Sequence, residues 1–194
     1  MLRWLRKGIR FRELETNVRG TSLAASRAIN DAWASVTGEE PMSAKSDFIV
    51  RMEMVWFFLH VVNRTAFHIR GPQARALVQD AVAHGVVKKA VKLSFDIDVV
   101  RAQEGFDAER WATEGLNETE LDYSSCTELF GESSGPVAWL DDQSVVGRLG
   151  KRIAEAAGHE QNQALRLLIA ETATKALAVS GLVAQVDRAC SLAR

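Results

Sequence analysis

Apolar residues recur along most of this chain about every 3.6 residues, which is the period of an amphipathic α-helix. No long run alternates polar and apolar residues in the manner of a half-buried strand. The short alternation within residues 94–103 has no strand-like segment to pair with, so a connector or a short helix is expected there. The pattern predicts an all-α protein, and 194 residues suit a single-domain bundle of about six to eight helices.

Capping residues and glycines mark the ends of the expected helices. Side chains able to cap a helix N-terminus occur at Thr21 or Ser22, at Ser46 and at Asp141. Glycines, in one place followed by proline, stand where the apolar stripes end. The segment 131–136 (GESSGP) is the most linker-like part of the domain. The expected helices cover residues 1–12, 21–37, 47–70, 72 to a break near Gly85, 107–114, 117–130, 142–157 and 160–192.

The longest apolar stripe lies on the last of these helices. Its members fall within about 100° of arc, and the stripe continues past Gly181 without interruption. A single helix over residues 160–192 would be roughly 50 Å long, which exceeds the width of a domain of this size. Its end is therefore expected to project or to dock on a second subunit, and its many alanines would allow another helix to approach closely.

The helix over residues 47–70 is apolar on nearly every side, so it is expected to be the buried centre of the bundle. Glu53, Phe57, His60 and Arg64 nevertheless share an arc of about 60° on this helix. Buried charges need partners, because an unpaired one costs several kcal/mol. In the simpler interpretation, each ionisable group meets an opposite charge or a carbonyl group on a neighbouring helix.

A sharper hypothesis makes this polar stripe a small ligand pocket. Arg64 would bind an anionic ligand through two hydrogen bonds, and His60 would add a third beside Glu53. Trp56 or Phe57 would form the wall of the pocket. Under this hypothesis the protein is a binder or sensor of a small anionic molecule.

The first twelve residues are expected to form a basic amphipathic helix. Arg3, Arg6, Lys7 and Arg10 lie on one face, and apolar residues such as Trp4 occupy much of the remainder. Such a helix can cover the core of its own domain, bind a partner or lie on an anionic membrane surface. Packing on its own core is the usual outcome for a terminal helix, and peripheral membrane contact is the less common one.

The net charge of −1 conceals an acidic segment, residues 104–142, in which Asp and Glu greatly outnumber the one base, Arg110. Most of these side chains are expected to be solvated. Acidic surface repels phosphate groups, so nucleic-acid binding is not expected. The basic N-terminal helix is a candidate to pair with the acidic face, within the chain or across a dimer.

Motifs for catalysis and for cofactors are absent from the sequence, which contains no glycine-rich nucleotide loop and no nucleophile elbow. Neither Cys126 nor Cys190 has the spacing of a metal ligand, and His84 and His159 have no pairing motif near them. No metal or cofactor is therefore expected. Two separated cysteines and the lack of a signal peptide favour a cytoplasmic location, and no run reaches the roughly 20 apolar residues of a membrane span.

Together these patterns favour a non-catalytic interaction or regulatory protein that self-associates or binds another protein. Binding of a small anionic ligand on the helix over residues 47–70 is the alternative, and peripheral membrane association through residues 1–12 is the third hypothesis.

Overall fold

The computed structural model of the protein describes residues 2–39, 42–94, 108–131 and 140–191. Within these ranges the chain is a helical bundle, which confirms the predicted all-α class. Residues 95–103 of the expected connector and 132–136 of the expected linker lie outside the described residues. The helices, numbered in chain order, are α1 (Leu2–Thr37), α2 (Ala44–Arg70), α3 (Pro72–Val78), α4 (His84–Ser94), α5 (Ala108–Ser124), α6 (Val145–Ala156), α7 (Gln163–Ser180) and α8 (Leu182–Ser191).

Helix α2 is the buried centre of the bundle, as predicted, and α1, α3, α4, α5, α6 and α8 pack around it. Every residue from Met52 to Asn63 is buried. The N-cap is Ser43 and not Ser46, because Ser43 has extended backbone and its hydroxyl oxygen accepts a 3.0 Å hydrogen bond from the amide of Ser46. Gly71, with a φ of 78°, ends the helix, and Pro72 begins α3 as expected.

Helix α1 is continuous from Leu2 to Thr37, so the prediction of separate helices over residues 1–12 and 21–37 is wrong. Ser22 does not cap a helix: it is buried, and its hydroxyl donates to the carbonyl oxygen of Val18 at 2.7 Å. Gly20 lies inside the helix at a cost of about 1 kcal/mol relative to alanine. Packing of α1 against α2, α7 and α8 offsets this cost, because tertiary contacts and not propensity stabilise most protein helices.

Two further glycines, at an expected break and in a gap between two expected helices, are interior positions of helices. Gly85 lies within α4, and the irregularity in this region is a π-helical turn, Gln79–Ala83, that joins α3 to α4. Gly115 lies within α5, so the helices expected over 107–114 and 117–130 are one helix, which ends at Ser124. Each glycine admits a bulky neighbour: a Cβ atom would lie 3.3 Å from the Glu15 carboxylate at Gly85, and 2.4 Å from the Trp56 ring at Gly115.

Helix α6 starts later than expected. Its N-cap is Ser144, whose hydroxyl oxygen accepts from the amide of Gly147 at 3.0 Å, and not Asp141. The Asp141 carbonyl oxygen instead accepts from the Ser144 amide and hydroxyl, and this closes the turn before the helix. Of the apolar stripe expected for this helix, Val145, Val146, Leu149 and Ile153 are buried, whereas Ala156 is exposed and Ala157 is partly buried. The helix ends before Gly158, as predicted.

The C-terminal segment is bent and divided at Gly181, so the prediction of one long helix over residues 160–192 is wrong. Gly181 adopts the left-handed conformation with a φ of 66°, and the axes of α7 and α8 meet at 48°. The Asn17 amide donates to the Ser180 carbonyl oxygen at 2.8 Å and to Gln185 Oε1 at 2.9 Å, which ties the bend to α1. Helix α8 thus packs on α1 and α2, and the length of the segment no longer favours docking on a second subunit.

Among the helices of the described ranges, none alone combines the length and apolarity of a membrane span. The pair α7 and α8 meets that criterion only when its two bent members are taken together.

Candidate functional site

The polar stripe of α2 is paired with side chains of α5 and α6. Glu53, which is 5% exposed, accepts two hydrogen bonds from Arg152, from Nε to Oε2 at 2.9 Å and from Nη2 to Oε1 at 2.8 Å. Arg152 also donates to Thr119 Oγ1 at 3.0 Å and to Asp122 at 3.3 Å. Burial raises the pKa of the Glu53 carboxyl group, and the hydrogen bonds and positive charge of Arg152 oppose that rise.

His60 belongs to a second chain of polar contacts. Its Nδ1 lies 2.9 Å from Glu120 Oε2, and the other oxygen of Glu120 accepts from Arg75 Nη2 at 2.7 Å. The His60 ring packs edge to face on Tyr123, with 5.3 Å between ring centroids. Burial, and secondarily the charge of Glu53, raises the pKa of Tyr123 well above 10. Both rings are therefore enclosed between α2 and α5.

Arg64, the residue expected to anchor an anion, contacts the backbone at the end of α5. Its two terminal nitrogens donate to the carbonyl oxygens of Cys126 at 3.1 Å and Thr127 at 2.7 Å. Carbonyl groups after a helix C-terminus are favourable partners for a cation. Each ionisable group of the stripe thus forms a polar contact with a neighbouring helix or its flanking loop, as the simpler interpretation requires. Ligand binding at this stripe stays a prediction.

The two aromatic residues proposed as pocket walls are core residues. Trp56 donates from Nε1 to the Ala112 carbonyl oxygen at 3.1 Å, and its ring centroid lies 5.3 Å from that of Trp111. Phe57 is completely buried and packs edge to face against Phe58. Both side chains hold α2 within the bundle.

Arg10 is tied to the C-terminal helix of the same chain, because its Nη1 donates to the carbonyl oxygen of Arg188 at 2.8 Å. This contact agrees with packing of the N-terminal helix on its own bundle. The binding of a partner or a membrane by this segment stays a prediction. The other side chains proposed for that contact lie outside the described side chains: Arg3, Trp4, Arg6 and Lys7.

The acidic segment differs from the expectation of a mainly solvated face at several positions. Asp122 is held by Arg148 at 2.7 Å in addition to Arg152, and Asp142 is held by Arg166 at 2.5 Å. Acidic residues on α5 and in the turn before α6 therefore connect α5, α6 and α7 electrostatically. The basic partners of Asp122 and Asp142 among the described side chains come from α6 and α7.

A surface groove that sequence reasoning missed lies between α1, α2 and α4. Its volume is about 200 Å³, far above the roughly 10–15 Å³ needed for one water molecule. Leu23, Val55 and Ala90 contribute apolar surface to its wall. Gly20 also lines the groove, and no atom lies within 4 Å of the place where its Cβ atom would be.

Arg19 is the distinctive polar residue of this groove. Its Nε is buried, and no acceptor for it is found in the described part of the chain. The other arginine of the wall, Arg51, is neutralised by Asp47 at 2.6 Å. The hydroxyl group of Ser26 donates to the Leu23 carbonyl oxygen, as that of Ser22 does to Val18. The groove therefore combines apolar surface with a guanidinium group that has an unused donor.

The sequence does contain a signal for this groove. It is the stripe of buried positions that runs through both of the expected N-terminal helices. Buried residues of α1 continue at helical spacing through the gap between the two predicted segments, at Phe11, Leu14, Val18 and Ser22. This continuity indicates one helix, and it places Arg19 and Gly20 side by side near the middle of that helix.

Fold and site together define a class: an all-α bundle with buried ion pairs and a small apolar groove that carries one arginine. Within the described ranges, no group of three or more His, Cys, Asp or Glu side chains could hold a metal ion. Comparisons of the chain with protein-family models, with curated proteins and with solved structures found no match.

Proposed function

We propose that this chain is a non-catalytic binding protein whose groove between α1, α2 and α4 receives the apolar part of a ligand. The main observation that supports this proposal is the open groove itself, with its apolar wall and the space at Gly20. Ligand sites are concave and mostly apolar, with a few polar groups that orient the ligand. Two buried groups of a kind used in catalysis, the Glu53 carboxylate and Nδ1 of His60, are engaged in contacts between helices.

Filling the groove should weaken ligand binding. We expect Gly20→Leu to weaken binding of 1-octanol at least about tenfold, because loss of roughly two buried methylenes at 0.8 kcal/mol each already gives that factor. The variant should be at least as stable as the natural chain, since leucine favours the helix over glycine by roughly 0.5–1 kcal/mol. The measurement is an NMR titration that follows the methyl groups of Leu23 and Val55.

Gly8→Leu is the matched control. Gly8 lies on the same helix, no atom lies within 4 Å of its Cβ position, and it does not contribute to the groove. Its substitution should leave octanol affinity unchanged. Absence of methyl shifts in the natural chain, or equal shifts in both variants, would contradict the proposal.

Self-association is a second candidate function, which the outer side of the α7–α8 bend favours. Val179 is 86% exposed and Val183 is 51% exposed, on either side of Gly181. If these side chains form a subunit contact, sedimentation velocity should detect a dimer, and Val179→Lys with Val183→Lys should raise its dissociation constant at least about tenfold. Leu121→Lys on α5, where leucine is 76% exposed, is the control and should have no effect. A natural chain that stays monomeric at high concentration excludes this candidate.

A further inference from the structure

We propose that the groove between α1, α2 and α4 recognises an aliphatic carboxylate, with its chain along the apolar wall and its carboxylate on Arg19. This inference rests on the proposed function of the groove and adds the chemical class of the ligand. Three features of the described residues carry it: an arginine whose Nε has no acceptor, cations nearby that are already neutralised, and a limited volume.

Arg19 is incompletely paired. Its Nε is shielded from solvent, and none of the described residues accepts a hydrogen bond from it. A buried donor without an acceptor is unfavourable, so an incoming acceptor gains the interaction without displacing a protein group. A carboxylate fits best, because its two oxygens match the fork of a guanidinium group.

The charges around the groove favour a ligand with a single negative charge. Arg51 is paired with Asp47 at 2.6 Å, and Lys89, next to the groove residue Ala90, is paired with Glu15 at 2.5 Å. Only the charge of Arg19 thus remains uncompensated among the described cations at this place. A doubly charged phosphate monoester would be left with excess negative charge, whereas a carboxylate is neutralised by one arginine.

The volume and wall of the groove specify the rest of the ligand. About 200 Å³ is less than the roughly 300–1,000 Å³ of pockets that enclose drug-sized molecules. Leu23, Val55 and Ala90 provide no hydrogen-bonding side chains. A short or medium aliphatic chain therefore matches the groove better than a ring system with several polar groups.

The test compares ligands that share an eight-carbon chain and differ in the head group: octanoate, 1-octanol, octylammonium and octyl phosphate. Binding is measured by calorimetry and by methyl chemical shifts of Leu23 and Val55. We expect octanoate to bind the natural chain about tenfold or more tightly than octanol, as for a hydrogen-bonded charge pair. Octylammonium should bind least tightly, because its charge has the same sign as that of Arg19.

Arg19→Gln should reduce the affinity for octanoate to that for octanol and leave octanol affinity within about twofold. Arg19→Lys should retain part of the preference, since a lysine keeps the charge but not the paired donors. Arg27→Gln is the matched control, because Arg27 is an exposed arginine of the same helix and lies outside the groove. It should leave all four affinities unchanged.

The outcomes separate the ligand class from the function of the groove. Equal binding of octanol and octanoate, both lost in Gly20→Leu, would overturn the carboxylate assignment and leave the apolar groove established. Tighter binding of octyl phosphate, or an octanoate preference that survives Arg19→Gln, would also overturn that assignment. Failure of all four ligands to bind the natural chain would reject the proposed function itself.

Discussion

Replacing Arg152 by methionine is expected to lower the free energy of unfolding by about 3–5 kcal/mol at neutral pH, the usual cost of leaving a buried charge without its partner. Glu53 is 5% exposed, so the solvent cannot replace the two hydrogen bonds that Arg152 provides. Methionine keeps most of the apolar stem of the arginine, so the loss reports chiefly on charge and hydrogen bonds. Urea denaturation followed by circular dichroism measures the change.

The loss of unfolding free energy in the Arg152→Met variant should become smaller as the pH falls. The pKa of Glu53 is raised above its ordinary value of 4.5 even with Arg152 present, and removing that cation raises it further. A carboxyl group with a raised pKa contributes its full stability below the pKa of the unfolded chain and loses it as the pH rises through the folded pKa. The difference between variant and natural chain is therefore largest at neutral pH and smaller near pH 4.5.

Two further variants distinguish the effect of losing the buried ion pair from the effect of losing an arginine charge anywhere on the protein. Arg110→Met removes a surface arginine paired with Glu114 at 2.8 Å and should cost less than about 0.5 kcal/mol, with little dependence on pH. Glu53→Leu combined with Arg152→Met should be more stable than Arg152→Met alone, because no buried charge then lacks a partner. A deficit in Arg152→Met below about 1 kcal/mol, or one independent of pH, would contradict this account.

Gly115→Ala is expected to lower the free energy of unfolding by about 1–3 kcal/mol, although alanine is the better helix former. The added Cβ would lie 2.4 Å from two ring atoms of Trp56, so the ring or the helix must move. The ring is held by its hydrogen bond to the Ala112 carbonyl oxygen and by Trp111. Thermal and urea unfolding, followed by circular dichroism, measure the loss.

Gly20→Ala is the matched control for this substitution, since it is the same change in a helix with open space at the Cβ position. It should raise the free energy of unfolding by about 1 kcal/mol. In a Trp56→Phe background, Gly115→Ala should cost less than in the natural chain, because the smaller ring removes the close approach. If Gly115→Ala is as stable as the natural chain, α5 and α2 do not pack as closely as described.

Burial of the central helix and its need for polar partners were both predictable. The segment from Met52 to Asn63 is apolar on nearly all sides, and a helix of that kind has only the interior of a bundle as a stable environment. Burial then requires that Glu53 has a partner, whatever that partner is. Its identity was not predictable, because Arg152 lies 99 residues away and nothing in the local sequence marks it.

The glycines also separate what the local sequence predicts from what depends on distant contacts. The pattern predicts a break near Gly85, a gap between two helices that contains Gly115, and a helix that passes through Gly181. Gly85 and Gly115 instead lie inside helices, and Gly181 ends one in the left-handed conformation. A glycine permits both a left-handed turn and the close approach of a neighbour. The choice at Gly115 depends on Trp56, which is remote in the chain.

By itself, the sequence determined the all-α class, the central position of α2 and the polar residues that need partners, because helical period and apolar content are local properties. Only the tertiary structure decided the pairing of Glu53 with Arg152, the bend at Gly181 and the groove beside Arg19. These features arise where helices distant in the chain meet, and the geometry of such contacts depends on side chains of all the participating helices at once.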